Sequence, residues 1–464
     1  MRALKTTALV IGAGPGGYTA ALRLAQHGVA TTLVEQEALG GTCLNVGCIP
    51  SKALIHASET VHRLRTLSSD RSGGISVSDV SCDAAALSAD RQRIVARLNQ
   101  GVRHLLKRAR VTVLSGRATL RNATTCRVTG PDGEVDVSTE HLVIATGSEP
   151  VPHPTISFGP RVLSSSTALA LTEIPKSLAV VGGGYIGVEL GTAFAKLGTR
   201  VAIIEAGERL LPSYDDDLVR LVNARLGELK VAVRTGCRAE AYDERSGQVS
   251  ATGNDGVRST LTSEFLLMTI GRRPRSDGIG LEHLGLRMRG AAIAIDERCQ
   301  TSMRNVWAVG DVTGEPMLAH RATAQADVVA DAIAGRPALF DKRAIPAICF
   351  ADPELVQVGL PSHERKLRFP DAVVGQFPFA ANGRAMTRHD DRGFVRVTAH
   401  PKTHAILSIE AVGAGVSELA AAFALAIEMG ARLEDVAATI HAHPTLGEAF
   451  PEAAFKALGT PLHV

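Results

Sequence analysis

The stretch ALVIGAGPGG, residues 8–17, decides the fold of the first part of this 464-residue chain. Its apolar start predicts a short buried parallel strand, and Gly12, Gly14 and Gly17 then fit the spacing GxGxxG. The first glycine of such a loop permits a tight turn, the second lets a pyrophosphate approach, and the third lets a helix pack on the strand. Free N–H groups at the start of that helix favour an anion. The stretch therefore predicts a dinucleotide-binding unit of the Rossmann type.

An acidic residue completes this unit. The next apolar strand, residues 30–34, ends at Glu35, eighteen residues after Gly17. A carboxylate at this position can accept a hydrogen bond from a ribose hydroxyl. Strand, loop, helix, strand and acid thus follow each other in the order that nucleotide binding requires.

The same unit occurs a second time. Gly182, Gly184 and Gly187 follow the apolar strand 178–181, and Glu205 closes the next strand, again eighteen residues after the third glycine. One GxGxxG motif is a weak signal, but the whole unit occurring twice predicts two dinucleotide sites and an electron relay between a flavin and a nicotinamide. Glu205 repels a 2′-phosphate and thus favours NAD over NADP.

Two cysteines stand out in the segment GGTCLNVGCIPSK, residues 40–52. Cys43 and Cys48 could hold a metal or be buried free thiols, but the further ligands that a metal needs are missing at suitable spacing. A redox disulfide needs only this pair, and we favour it. Pro50 suits the first turn of a helix, which places Cys48 at a helix N-terminus, where a thiolate is stabilised.

The cysteine segment and the residues after it, 40–58, resemble the active-site signature of the pyridine nucleotide-disulfide oxidoreductases, in particular its form in the dihydrolipoyl dehydrogenase branch. The resemblance extends over the whole chain. Four further segments carry it: ATGS at 145–148, GRRP at 271–274, AVGD at 308–311 and MLAH at 317–320.

The resemblance implies an α/β fold with two Rossmann-like dinucleotide-binding domains, for FAD and NAD, and a C-terminal α+β dimerisation domain. We expect an FAD-binding domain over residues 1–149 and an NAD-binding domain over 150–275. A central segment, 276–343, would complete the FAD domain, and the interface domain would take 344–464.

Cofactor-binding residues follow from the resemblance position by position. For FAD it implies Gly12, Gly14, Gly17, Glu35, Lys52, Thr146, Gly147, Asp311 and Ala319. For NAD it implies Gly182, Gly184, Tyr185, Gly187, Glu205 and Gly271. No metal site is expected.

A base is needed as well, because a dithiol must lose a proton before it can attack a disulfide. In the segment HAHPTLGE, residues 441–448, the resemblance implies that His443 is this base and Glu448 its carboxylate partner. The family supplies this pair from the other subunit of a homodimer. His441 is the rival base, and spacing alone does not exclude it.

Three more residues receive roles from the resemblance. Lys52 lies one turn after Cys48, and Glu189 lies just after the second glycine loop. In the family these two form an ion pair beside the flavin; the alternative for each is an ordinary charge at a helix end. Tyr185 would cover the flavin until the nicotinamide enters; its alternative is simple packing.

The expected activity is the oxidation of protein-bound dihydrolipoyl groups to lipoyl, with NAD⁺ as acceptor. The expected partners are a second copy of the chain and the lipoyl domains of 2-oxo acid dehydrogenase complexes or the H protein of glycine cleavage. One alternative is a disulfide reductase of the glutathione or mercuric reductase type, which Glu205 and the lack of a C-terminal cysteine pair disfavour. The other is a non-catalytic, NADH-responsive flavoprotein.

Composition excludes other classes of function. Fifty lysines and arginines nearly balance 47 acidic residues, and 45% of the chain is hydrophobic. These values predict a globular protein that binds neither nucleic acid nor a membrane. Seven cysteines in 464 residues do not make a secreted disulfide framework, so we expect a cytoplasmic protein. We expect the five cysteines outside the pair to be small buried residues.

A Ser/Gly-rich loop at 67–78 and a helix near 90–110 are also predicted. The expected inner face of this helix comprises Ile94, Leu98, Val102, Leu105 and Leu106. Its basic face comprises Arg91, Arg93, Arg97, Arg103, Lys107 and Arg108. We expect that face to be solvated; the alternative is a docking surface for an acidic partner.

Overall fold

Parallel strands and crossover helices form the first unit of the computed structural model, which describes residues 2–70 and 74–464. In chain order its elements are β1 (Arg2–Ile11), α1 (Pro15–Gln26), β2 (Thr31–Glu35), α2 (Gly41–Val46), α3 (Cys48–Asp70), α4 (Ala84–Arg108), β3 (Thr112–Ser115), β4 (Arg117–Asn122), β5 (Thr125–Gly130), β6 (Gly133–Ile144) and β7 (Ser148–Pro150). Strands β3, β2, β1 and β6 lie side by side in parallel, and β5 and β4 extend the sheet in antiparallel pairing.

The second unit repeats this plan. Its elements are β8 (Val162–Leu163), α5 (Ser165–Leu169), β9 (Ser177–Val181), α6 (Tyr185–Leu197), β10 (Arg200–Ile204), α7 (Asp216–Glu228), β11 (Ala232–Arg234), β12 (Cys237–Asp243), β13 (Gln248–Gly253), β14 (Arg258–Thr262), β15 (Phe265–Met268) and β16 (Arg272–Pro274). The parallel sheet runs in the order β11-β10-β9-β15-β8, with β12, β13 and β14 as a separate antiparallel sheet. Strand β16 pairs with β7 where the chain leaves this unit.

The chain then returns to the first unit. This segment contains β17 (Met288–Arg289), β18 (Ala292–Ile293), β19 (Val306–Ala308) and α8 (Ala319–Ile333). Strand β19 joins the first sheet in parallel beside β6, and α8 packs against α1. The first unit is therefore assembled from two separate parts of the chain.

An antiparallel sheet with helices forms the third unit. Its elements are β20 (Ala347–Cys349), β21 (Glu354–Gly359), α9 (Ser362–Arg368), β22 (Val373–Pro378), α10 (Gly383–Thr387), β23 (Phe394–Ala399), β24 (Ile406–Gly413), α11 (Ala420–Glu428), α12 (Leu433–Ala438) and α13 (Ala449–Ala457). The strand order is β20-β21-β24-β23-β22. In its core the buried rings of Phe423 and Phe450 meet edge to face, 5.1 Å apart. The predicted fold class, two Rossmann-type units and a C-terminal α+β unit, is confirmed.

The structure corrects the prediction for α4. This helix begins at Ala84, because the side chain of Asp83 accepts the N–H of Ala86 and caps it, and it ends at Arg108. Arg91 is buried and donates to the carbonyl of Leu169, so it does not belong to a solvated face.

Only part of the expected inner face of α4 is buried. Val102 and Leu106 are buried, whereas Ile94, Leu98 and Leu105 are exposed. Val102 and Leu106, together with the partly buried Val95, therefore form the contact of α4 with the core of the first unit.

The expected loop at 67–78 is shorter than predicted, because α3 continues to Asp70. Residues 71–73 lie outside the described residues. Of the scattered cysteines, Cys126, Cys237, Cys299 and Cys349 are buried as expected, and Cys82 is partly exposed. Within residues 2–70 and 74–464, no helix has the length and apolarity to span a membrane.

Candidate active site

A cavity of about 340 Å³ contains the two cysteines of the sequence motif, Cys43 and Cys48. Residues from the first two units line it. Of the other predicted site residues, Gly12, Gly14, Glu35, Lys52, Thr146, Gly147, Tyr185, Glu189, Asp311 and Ala319 lie on its wall. The fold thus brings together the residues expected around a flavin, although the sequence separates them by more than 300 positions.

In each Rossmann-type unit, the glutamate at the end of the strand after the glycine loop accepts a hydrogen bond from that loop. Glu35 Oε2 accepts the N–H of Ala13 at 2.7 Å, and Glu205 Oε2 accepts the N–H of Gly183 at 2.6 Å. In both units the other carboxylate oxygen accepts the N–H two residues further along the chain. The two sites therefore share one hydrogen-bonding plan.

The loop geometry fits a dinucleotide. Gly12 and Gly182 have φ of +95° and +106°, and a Cβ on either would lie 2.3–2.4 Å from a backbone oxygen, that of Ala145 or Thr269. A Cβ on Gly14, in contrast, would have no protein atom within 4 Å. This open space lies directly before α1, where a phosphate can reach the helix N-terminus.

The remaining predicted nucleotide residues lie next to these loops. Gly17 and Gly187 belong to the first turns of α1 and α6, and Gly184 precedes α6. Gly271, with φ of +128°, follows β15, and its carbonyl accepts the N–H of Val151.

Arg209 does not offset the charge of Glu205. Its guanidinium contacts the carboxylate of Asp216 and donates to the carbonyl of Pro212 at 2.7 Å. The carboxylate of Glu205 therefore remains the charged group at the end of β10, as expected for a site that binds NAD.

The two sulfur atoms differ in proton affinity. Cys43 lies in α2 and Cys48 is the first residue of α3, and the two side chains are within hydrogen-bonding reach of each other. The hydrogen bond from Cys43 and the charge of Lys52 lower the pKa of Cys48 to about 7. The same hydrogen bond, together with burial, raises the pKa of Cys43. In the reduced pair Cys48 therefore loses its proton before Cys43 does.

Lys52 and Glu189 are joined beside this pair. Lys52 Nζ lies 2.9 Å from Glu189 Oε2, and Glu189 is buried. The N–H of Phe350 donates to the other oxygen of Glu189 at 2.9 Å. The centre of the Phe350 ring lies 4.4 Å from Lys52 Nζ. Sequence reasoning missed Phe350, which no motif marks and which reaches the site from the third unit.

Polar contacts fix other walls of the cavity. Asp311 accepts the hydroxyl of Ser148 at 2.6 Å, and Arg272 Nε donates to the same hydroxyl at 2.8 Å. Ser148 and Arg272 belong to the ATGS and GRRP segments but were not singled out from them. Tyr185 begins α6 on the wall of the cavity, where loss of hydration raises the pKa of its hydroxyl and keeps that group neutral.

His443 and Glu448 form a pair in the third unit. Nδ1 of His443 lies 2.8 Å from Glu448 Oε1, and Glu448 Oε2 accepts the N–H of Thr445 at 2.7 Å. Burial raises the pKa of Glu448, but the bonds from Thr445 and His443 lower it more, and the net shift is downward. His441 instead contacts the carbonyl of Val436 at 3.2 Å. The carboxylate thus orients His443.

The structure of the single chain does not bring this pair to the cysteines. Among the described residues, those that line the cavity include neither His443 nor Glu448. The side chain of His443 is 80% exposed. A contribution from a second copy of the chain, as the sequence analysis expects, remains a prediction.

Comparisons with known proteins agree with this site. Residues 6–326 match the family described as pyridine nucleotide-disulphide oxidoreductase, and residues 345–454 match the dimerisation domain of that family. The chain is 50% identical to the dihydrolipoyl dehydrogenase of Pseudomonas aeruginosa, over 99% of both chains. It is 43% identical to the enzyme of the same name from Geobacillus stearothermophilus, over 100% of this chain and 98% of the relative.

A solved structure shares the fold. LpdA from Mycobacterium tuberculosis superimposes with a TM-score of 0.89 at 26% identity, over 97% of this chain and 99% of that one. FAD and a nicotinamide dinucleotide are the cofactors of proteins of this kind, and the glycine loops and acids described above suit both. The chain belongs to the pyridine nucleotide-disulphide oxidoreductase family.

Proposed function

We propose that this chain oxidises protein-bound dihydrolipoyl groups to lipoyl, with NAD⁺ as the electron acceptor. The observation that carries the proposal is the placement of Cys43, Cys48 and the Lys52–Glu189 ion pair in one cavity that both Rossmann-type units line. The relatives named dihydrolipoyl dehydrogenase support the choice of substrate.

The reaction begins with a proton transfer. His443 of a second copy accepts the proton of one dihydrolipoyl thiol, and Glu448 stabilises the imidazolium that results. The substrate thiolate then attacks the sulfur of Cys43 in the oxidised Cys43–Cys48 pair, and Cys48 leaves as a thiolate. The second substrate thiol attacks the mixed disulfide, which releases lipoyl and leaves Cys43 with a thiol.

This half-reaction balances. The substrate loses two electrons and two protons, and its two sulfurs form one bond while the bond between Cys43 and Cys48 breaks. Lys52 and the N-terminus of α3 stabilise the thiolate that Cys48 carries.

Gly12, Gly14 and Glu35 would hold FAD, which when bound would supply an acceptor for two electrons from the cysteine pair and a hydride donor for NAD⁺. Three residues of the second unit act where the nicotinamide approaches the flavin. Glu205 would bind the ribose of NAD⁺ at the second glycine loop, and Tyr185 would cover the flavin until the nicotinamide enters. Glu189 holds Lys52 in place beside Cys48.

Each expected domain has its own binding role. Residues 1–149 with 276–343 bind FAD, residues 150–275 bind NAD, and residues 344–464 contact the second copy. The chain acts as a homodimer in the cytoplasm, on lipoyl domains of 2-oxo acid dehydrogenase complexes or on the glycine cleavage H protein.

A steady-state assay tests this proposal. Protein reconstituted with FAD is supplied with free dihydrolipoamide and either NAD⁺ or NADP⁺, and separately with oxidised glutathione and NADPH. We expect turnover with dihydrolipoamide and NAD⁺ and its loss in Cys43→Ser, while Cys82→Ser, a cysteine outside the cavity, keeps it. Reduction of glutathione at a comparable rate, or no turnover with dihydrolipoamide, would overturn the assignment.

A further inference from the structure

A group of charged residues lies beyond the cavity, where α3, α6 and the third unit meet. Lys196 Nζ contacts the carboxylates of Glu59 and Asp352, the latter at 2.8 Å. Arg225 Nε donates to the same oxygen of Asp352 at 2.7 Å. We call these four residues, Glu59, Lys196, Arg225 and Asp352, the outer ion cluster.

The outer ion cluster repeats the geometry of the Lys52–Glu189 pair with the charges exchanged. Lys52 and Glu59 lie seven residues apart on α3, and Glu189 and Lys196 lie seven residues apart on α6. Seven residues make about two helical turns, or about 10 Å. The two helices are thus cross-linked by ion pairs at two successive levels.

One short segment of the third unit contacts both levels. The N–H of Phe350 binds Glu189, and two residues later the carboxylate of Asp352 binds Lys196. The outer ion cluster therefore joins the same three parts of the molecule that meet beside Cys48.

Separating the ion pairs of the outer ion cluster would cost free energy, because two of its members are largely buried. The side chains of Lys196 and Asp352 are 4% and 14% exposed, and a buried charge without its partner is strongly unfavourable. A buried ion pair adds little net stability compared with apolar packing, so its main effect is to impose one arrangement of the groups that form it. Here that arrangement is the placement of α6 against α3.

We propose that Lys196 is a positioning residue for hydride transfer. Because a helix moves as a rigid element, holding Lys196 against Glu59 and Asp352 holds the other end of α6 in place. That end carries Tyr185 and Glu189, which face the cavity. The inference rests on the proposed function in assigning nicotinamide chemistry to α6.

Lys196→Met tests the proposal without leaving a buried carboxylate unpaired. Asp352 keeps Arg225 as a partner, and Glu59 is about half exposed to water. His62 and Glu228 keep their contacts with Arg225. Glu59→Gln is a second variant that weakens the same contact from the side of α3, with less demand on folding.

Three measurements on the holoenzyme read the effect. We expect flavin reduction by NADH to slow by about tenfold or more, since displacement of reacting groups by 1 Å can cost about 100-fold. Flavin reduction by dihydrolipoamide uses Cys43, Cys48 and Lys52, which α2 and α3 carry. Because α6 acts on this half-reaction only through the Glu189–Lys52 pair, we expect its rate to stay within about twofold. Hydrogen exchange should show faster exchange at the amide of Phe350, independently of any turnover.

Arg392→Gln is the matched control. It removes an exposed pair with Glu228, 3.1 Å long, which also joins the second and third units but contacts neither Lys196 nor Asp352, and Glu228 keeps its pair with Arg225. Three outcomes would overturn the proposal. The test variants would slow both half-reactions equally, the control would have the same effect as the test variants, or both test variants would leave the rates and the hydrogen exchange unchanged. Failure of the dihydrolipoyl assignment would look different: dihydrolipoamide would not reduce wild-type flavin, while NADH still would.

Discussion

The hydrogen bond between the two cysteines makes one prediction that can be worked through in numbers. Replacing Cys43 by alanine removes the donor that does most to lower the pKa of Cys48, while Lys52 remains. The pKa of Cys48 should therefore rise from about 7 towards the ordinary thiol value of 9.0. Cys43→Ser is the matched control, because its hydroxyl can still donate to the thiolate.

The expected magnitude follows from the titration of a single thiol. At pH 8 a pKa of about 7 gives about ten thiolates per thiol, and a pKa of 9 gives about one thiolate per ten thiols. We expect the alanine variant to titrate at about pH 8 or above, so at pH 8 it should hold at most about half of its Cys48 as thiolate.

Absorbance reports the thiolate directly. A thiolate beside an oxidised flavin gives a long-wavelength charge-transfer band, and this band should fade as the pH drops through the pKa of Cys48. Both variants are reconstituted with FAD and titrated from pH 5 to pH 10, with alkylation by iodoacetamide as an independent measure. Midpoints that agree within about 0.3 pH unit would refute the reasoning and leave Lys52 and the α3 N-terminus as the cause.

Three further predictions concern the base, the nucleotide and the core. His443→Gln should lower turnover with dihydrolipoamide by about 100-fold or more, whereas His441→Gln should stay within a few-fold; equal losses in steady-state assays would contradict the assignment. Glu205→Ser should raise the ratio of kcat/KM for NADPH over NADH by about tenfold, since it removes the charge that repels a 2′-phosphate; an unchanged ratio would reject this role. Phe423→Ala should cost about 3–5 kcal/mol of unfolding free energy in urea titrations, against about 0.5 kcal/mol or less for the exposed Val257→Ala; similar losses would argue against a tight core.

The parts of the site that the sequence could predict are local. Glu35 and Glu205 stand at fixed distances from their glycine loops, and the start of α3 at Cys48 follows from Pro50 two residues later. Each of these features depends on a few neighbouring residues whose backbone conformation the sequence largely determines. Local spacing was therefore enough to place them.

Contacts between residues that are far apart in the sequence could not be predicted from local spacing. Arg91 has the same spacing as the exposed arginines of α4, and only the approach of α5 turns it inward to the carbonyl of Leu169. Phe350 reaches Glu189 from another unit, and no pattern in its own neighbourhood indicates this. Such contacts depend on how whole elements pack, which helical periodicity does not specify.

The acids at the ends of the two Rossmann strands have a consequence for cofactor exchange. Because each carboxylate accepts an amide N–H of its own loop, part of the loop is ordered before a nucleotide binds, and less ordering entropy is lost on binding. Replacing Glu205 during an evolutionary change from NAD to NADP would therefore remove the hydrogen bond that orders the loop as well as the charge that selects NAD. Such a switch would need a compensating contact elsewhere in the loop to keep either nucleotide tightly held.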